Sequence, residues 1–166
     1  MKKKYEEEHV APASCQSSDN TPLELMQVGA VEKVLRKVRA FTCLVIGNRV
    51  EADEIVEDAL ILYLSTDPDP HEADDSGAYL IQAVRRLLRT TGARARRGTD
   101  LDQALAPLLD LPLEIREIAA LHLGIGLPVA ESAALLEISP EEAVAALNTV
   151  REAIGPETFD RAAPAA

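Results

Sequence analysis

The apolar positions of this chain recur at helical spacing and are interrupted by short polar or glycine-rich breaks. Periodicity starts near Leu23 or Leu25 and runs through Val28, Val31, Val34, Leu35, Val38, Phe41, Leu44 and Val45. Gly47-Asn48 then supplies a good helix C-terminus. A second helix is expected over 50–64, burying Ile55, Val56, Leu60, Ile61 and Leu64, with acids on and around its first turns. After an acidic, proline-containing loop, a third helix runs from Ala78 to about Ala95. A short helix over 101–109 leads to Leu111-Pro112, which opens another that Gly124 and Gly126 stop beyond His122. Pro128 starts a short helix from Val129 to Leu136. Ile138-Ser139-Pro140 reads as a turn with an N-cap serine and a proline at the first helical position, opening a last helix to about Ile154. No segment alternates with period two, so the expected fold is all-α. Gly98-Thr99-Asp100 is the best boundary, giving two small helical domains over 23–97 and 98–155, flanked by disordered tails over 1–22 and 156–166.

Composition sharpens this picture. With only five aromatic residues among 166, the core must be built from Leu, Ala, Val and Ile, helix on helix with small contact residues. The net charge is −11, unevenly divided. Residues 1–97 carry 14 Lys+Arg against 16 Asp+Glu, and residues 98–166 carry 3 against 12. So acidic a C-terminal half argues against its meeting DNA, a membrane or another polyanion alone. No stretch approaches a membrane span or a signal peptide, which points to a cytoplasmic protein.

Little suggests catalysis. Cys15 and Cys43 have no CxxC partner or neighbouring histidine and read as a tail thiol and a small hydrophobe. His9, His71 and His122 are too dispersed for a metal site, and His122 lies in an apolar helix. The carboxylates Asp53, Glu54, Glu57 and Asp58 have helical spacing without the glycine turn of a calcium loop. There is no phosphate loop, GxSxG or serine–histidine–aspartate order, so no enzyme, cofactor, metal or small-molecule substrate is expected.

Two features carry functional information. The segment from Leu111 to Gly155 has the plan of a helix-turn-helix, whose second helix is the one available to a DNA groove. Such a helix should offer cations to phosphates and polar groups to base edges. This one offers Glu141, Glu142, Asn148, Thr149 and a single Arg151. By contrast, Arg85, Arg86, Arg89, Arg94, Arg96 and Arg97 fall within thirteen residues, with no acid between Gly77 and Gly98 and with Tyr79 near the helix start. This is either a phosphate-facing patch or a solvated face that pairs with neighbouring acids.

The order of these parts resembles a bacterial sigma factor of the extracytoplasmic-function group. The run from Ala52 to Leu60 resembles that family's D-A-E-D-L-V-Q-E-x-F motif, with Glu57-Asp58 in place of the Q-E pair. The run from Ala78 to Arg86 resembles A-W-L-x-x-I-A-R-N, with arginines trailing it. Leu111, Pro112, Arg116, Glu117 and Leu121 match L-P-x-x-x-R-E-x-x-x-L. The resemblance covers residues 25–155 and implies a region 2-like domain followed by a region 4-like helix-turn-helix. It implies polymerase binding by Asp53, Glu54, Val56, Glu57 and Asp58. It also implies promoter contact by Tyr79, Arg85, Arg86, Arg89, Arg94, Arg96 and Arg97. The departure is in the last helix: where the family has V-G-T-V-K-S-R-L-x-R-A-R, Pro140 to Arg151 keeps the apolar positions and loses three or four basic ones. Each lost phosphate contact weakens binding.

The expectation is therefore a sigma-factor-like regulator with a degenerate DNA-reading helix, acting mainly through protein contacts. Its partner would be an anti-sigma or other regulator protein, or core RNA polymerase. That partner would dock in an apolar groove lined by Leu113, Ile118, Leu121, Leu136, Val144 and Leu147. The alternatives are a functional extracytoplasmic-function sigma factor and a helical adaptor unrelated to transcription. Whether promoter DNA is a partner stays open at this level.

Overall fold

Seven α-helices carry the described residues of the computed structural model, which are 22–65, 76–91 and 103–164. They are α1 (Pro22–Ile46), α2 (Arg49–Ser65), α3 (Ser76–Thr91), α4 (Leu113–Ala119), α5 (Val129–Leu136), α6 (Pro140–Ile154) and α7 (Pro156–Ala162). A 3-10 turn over Ala106–Asp110 precedes α4, and a π-helical turn over Ala120–Gly124 extends it. No strand occurs among the described residues, so the all-α expectation holds.

Helix ends follow local chemistry. Gly47, with φ of 80°, closes α1 in the left-handed region, which a residue with a Cβ rarely adopts. Pro128 precedes the first turn of α5, and Ser139 caps α6 with Pro140 at its first position. Ser139 accepts the Glu142 N–H at 3.2 Å while the Glu142 carboxylate accepts the Ser139 N–H at 2.8 Å, a reciprocal capping box. Between α5 and α6, Glu137 itself takes the left-handed conformation, with φ of 60°.

Packing within each half is apolar. α1, α2 and α3 lie against one another around Val38, Phe41, Val45, Ala52, Ile55, Ala59 and Val84. α4, α5 and α6 pack together, with Ala133, Ala143 and Leu147 filling the space between them. One apolar cluster continues through both halves, from Val38 and Leu88 to Ile118, Leu121, Leu136 and Leu147. A smaller one joins Leu108, Ala119, Val150 and Ile154. The π-helical turn and α4 lie directly on α1.

Two expectations are corrected. Ile61 and Leu64, assigned to the buried face of α2, are 60% and 69% exposed; they share the outer face with Glu54, Glu57 and Asp58. Residues 156–162, assigned to a disordered tail, form α7. Gly155, with φ of 84°, turns the chain, Pro156 starts the helix, and Phe159 packs against both apolar clusters. The expected tail over 1–22 lies outside the described residues apart from Pro22, and so does the boundary Gly98-Thr99-Asp100.

Candidate functional site

The polar interior of the protein is concentrated where the two halves meet. Arg85, Arg116 and Glu117 are the buried charged side chains among the described residues, and each bonds across that seam. Glu117, on α4, is 1% exposed and faces α3. Its Oε2 accepts from Arg85 Nε at 3.2 Å and from Arg89 Nη2 at 3.2 Å. Arg85 Nη1 also donates to the Leu135 carbonyl at 3.2 Å and to Gln82 Oε1 at 2.9 Å, and Gln82 Nε2 donates to the same Leu135 carbonyl. On the other side of α4, Arg116 donates to the carbonyl of Val45 in the last turn of α1 and to that of Leu111 at 3.1 Å.

Burial pushes the Glu117 carboxyl above the usual carboxylate range, although Arg85 and Arg89 oppose the shift. Burial likewise lowers the Arg116 guanidinium, with Glu114 and Glu117 opposing. In both cases the loss of water outweighs the neighbouring charges. Beside this cluster lies an apolar cleft of about 370 Å³, lined by Val34 and Val38 of α1, Ile81 of α3, and Ile125, Leu127 and Leu135 from the C-terminal half.

The residues that the sigma resemblance singles out are distributed as follows. Of the polymerase-binding set, Glu54, Glu57 and Asp58 are exposed, Asp53 is ion-paired with Arg39, and Val56 is buried. Of the DNA-binding set, Arg85 is buried on Glu117, Arg89 is half-exposed on the same carboxylate, and Arg86 faces solvent. Tyr79 is exposed and stands against Tyr63, ring centroids 5.2 Å apart. Arg94, Arg96 and Arg97 lie outside the described residues. Of the groove set, Ile118, Leu121, Leu136 and Leu147 are buried in the shared core: α4 and the π-helical turn lie on α1, and Leu147 fills the space between α4, α5 and α6. Leu113 is half-buried, and Val144 is exposed on α6. The groove expected on the C-terminal half is thus filled from within.

The outward face of α6 carries Glu141, Glu142, Val144, Ala145, Asn148, Arg151 and Glu152. Its single cation, Arg151, is paired with Asp160 of α7 at 3.3 Å. His122 is half-buried, with Nδ1 2.9 Å from the Leu127 carbonyl. No group of three or more potential metal ligands occurs among the described residues, and none of their helices is long and apolar enough to cross a membrane.

Compared with known proteins, the chain matches no family model, no curated protein and no solved structure.

Sequence reasoning missed the partnership of Glu117 with α3. The signal was present: an acid one residue beyond Arg116, inside an otherwise apolar helix, has to find a cation when it is buried.

Proposed function

We propose that the chain is a sigma-factor-like transcription regulator that works mainly through protein contacts, with an anti-sigma protein as its partner. The observation that carries this reading is the outer face of α6. In the family that the sequence resembles, the corresponding helix reads promoter DNA. Here that face is acidic, and its one arginine is paired with Asp160. A helix with this charge repels phosphates rather than collecting them. An exposed Val144 among carboxylates suits a partner with a basic, partly apolar surface.

A second reading, a sigma factor that binds core RNA polymerase, has one observation in its favour. The outer face of α2 places Ile61 and Leu64 beside Glu54, Glu57 and Asp58, an acidic surface with an apolar end and no covering element from the described chain.

The test is affinity capture with the tagged full-length chain from its native host at moderate salt, with mass spectrometry of what is retained. Recovery of an anti-sigma regulator without polymerase supports the first reading, provided that the contact is lost when Val144 is changed to Asp. Recovery of polymerase subunits supports the second. Absence of both sinks the transcriptional reading and leaves a helical adaptor.

A further inference from the structure

The apolar cleft of about 370 Å³ is walled by both halves of the chain as they stand packed. Val34, Ile125, Leu127 and Leu135 in its wall are only half-buried, so they leave apolar surface uncovered. Gly77 and Ala78, at the start of α3, are small and let another backbone come close. Two exposed charged residues complete the lining, Lys37 of α1 and Glu131 of α5. The space holds a few side chains. It is too small for a helix about 10 Å across and suits an extended strand of small apolar residues.

The chain carries such a strand. In the sequence that precedes α1, Val10-Ala11-Pro12-Ala13 is the only run of four apolar residues. A proline fixes its own φ and biases the residue before it toward extended backbone, so a run of this kind loses little freedom on docking. The reach also fits. Val34 lies twelve residues along α1 from Pro22, which is about 18 Å of helix. Nine residues link Ala13 to Pro22 and twelve link Val10 to it. A serine-rich tether of that length averages about 15–21 Å end to end. Effective concentration is highest when the mean length of a tether matches the span. A segment doubling back along α1 also carries Glu6, Glu7 and Glu8 past Val34 toward Lys37, where opposite charges meet. The acids of α2 are a rival destination, through Lys2, Lys3 and Lys4. Exposed ion pairs there would yield little, whereas the cleft takes Val10 and its neighbours out of water.

We propose that the cleft is the docking site of this chain's own Val10-Ala11-Pro12-Ala13 segment, which lies extended across Val34, Ile81 and Leu127 with Glu6, Glu7 and Glu8 on the side of Lys37. The segment then straps α1 and α3 to the C-terminal half, and any partner that uses the cleft has to displace it. This stands apart from the transcriptional reading, because it needs only the cleft, the length of the preceding chain and its one apolar run.

The experiment uses the full chain with its own Cys15, two residues beyond Ala13, as the reporter. Cys43→Ser leaves Cys15 as the only thiol, and a nitroxide attached there broadens the methyl resonances that lie close to it. The methyls of Ile81, Ile125 and Leu127 should lose most of their intensity, while those of Ile61 and Leu64 on α2 keep theirs. Val10→Asp places a charge in the apolar space and should restore the cleft methyls. This substitution precedes α1, so helix content by circular dichroism should stay at the wild-type value. Without any label, the cleft methyls should change chemical shift between wild type and Val10→Asp. Three results overturn the proposal. The first is identical cleft shifts in wild type and Val10→Asp. The second is broadening confined to Ile61 and Leu64, which would put the tail on α2. The third is cleft broadening that appears in nitroxide-free chains mixed with labelled ones, which would make a second copy the occupant.

Discussion

Arg116 reaches across from α4 to the carbonyl oxygen of Val45, in the last turn of α1, so a cation from one half closes a helix of the other. The last carbonyls of a helix lack intrahelical partners and carry the negative end of its dipole. A second bond to the Leu111 carbonyl, at 3.1 Å, ties the same guanidinium to the turn that opens α4. Replacing Arg116 with Met keeps much of the volume and leaves two acceptors without their donor. The expected cost is about 2 kcal/mol, measured by urea unfolding, with a single transition reported by all probes.

Glu117 carries a pH signature of its own. Its carboxyl is raised in the folded chain, chiefly by burial, above the value it has when unfolded. A raised acid contributes stability that is fully present below the unfolded pKa and is lost as pH rises through the folded pKa. Wild type should therefore gain stability relative to Glu117→Gln as pH falls from neutral through that range. Parallel thermal melts of the two proteins across the range check this, and a pH-independent difference would refute it.

The capping box predicts the opposite sign. The Glu142 carboxyl is lowered by its hydrogen bonds with Ser139, first of all the Ser139 N–H. A lowered acid contributes stability above its unfolded pKa and loses it as pH falls through the folded one. Ser139→Ala should cost about 1 kcal/mol at neutral pH, and because it keeps the backbone N–H at that position, it is Glu142→Gln whose deficit relative to wild type should shrink in acid. Denaturant titrations at neutral and acidic pH measure both.

Core and surface positions on the C-terminal half should separate cleanly. Leu121 is fully buried, so Leu121→Ala should cost about 2–5 kcal/mol. Val144 is exposed, so Val144→Asp should change stability by no more than about 0.5 kcal/mol. Only the second variant can report on partner binding without confusion from unfolding. A selective loss of a captured partner in Val144→Asp, at wild-type melting temperature, is the expected outcome.

What the sequence determines by itself is local. Gly47, Pro128 and the Ser139-Pro140 pair set helix ends through interactions only a few residues long, and these are legible from residue type and spacing. The all-α class follows from periodicity in the same way. Periodicity names an apolar face but does not say what covers it. For that reason Ile61 and Leu64 look like core and are exposed, while Ile118, Leu121, Leu136 and Leu147 look like a docking groove and are buried in the chain's own core. α7 is hidden for a related reason, since seven residues make no stable helix alone and depend on Phe159 reaching the apolar clusters. The pairing of Arg85 with Glu117, thirty-two residues apart, is tertiary altogether. An arginine-rich helix can face solvent, phosphate or a buried acid, and only the packing of α4 beside α3 decides that Arg85 and Arg89 meet Glu117.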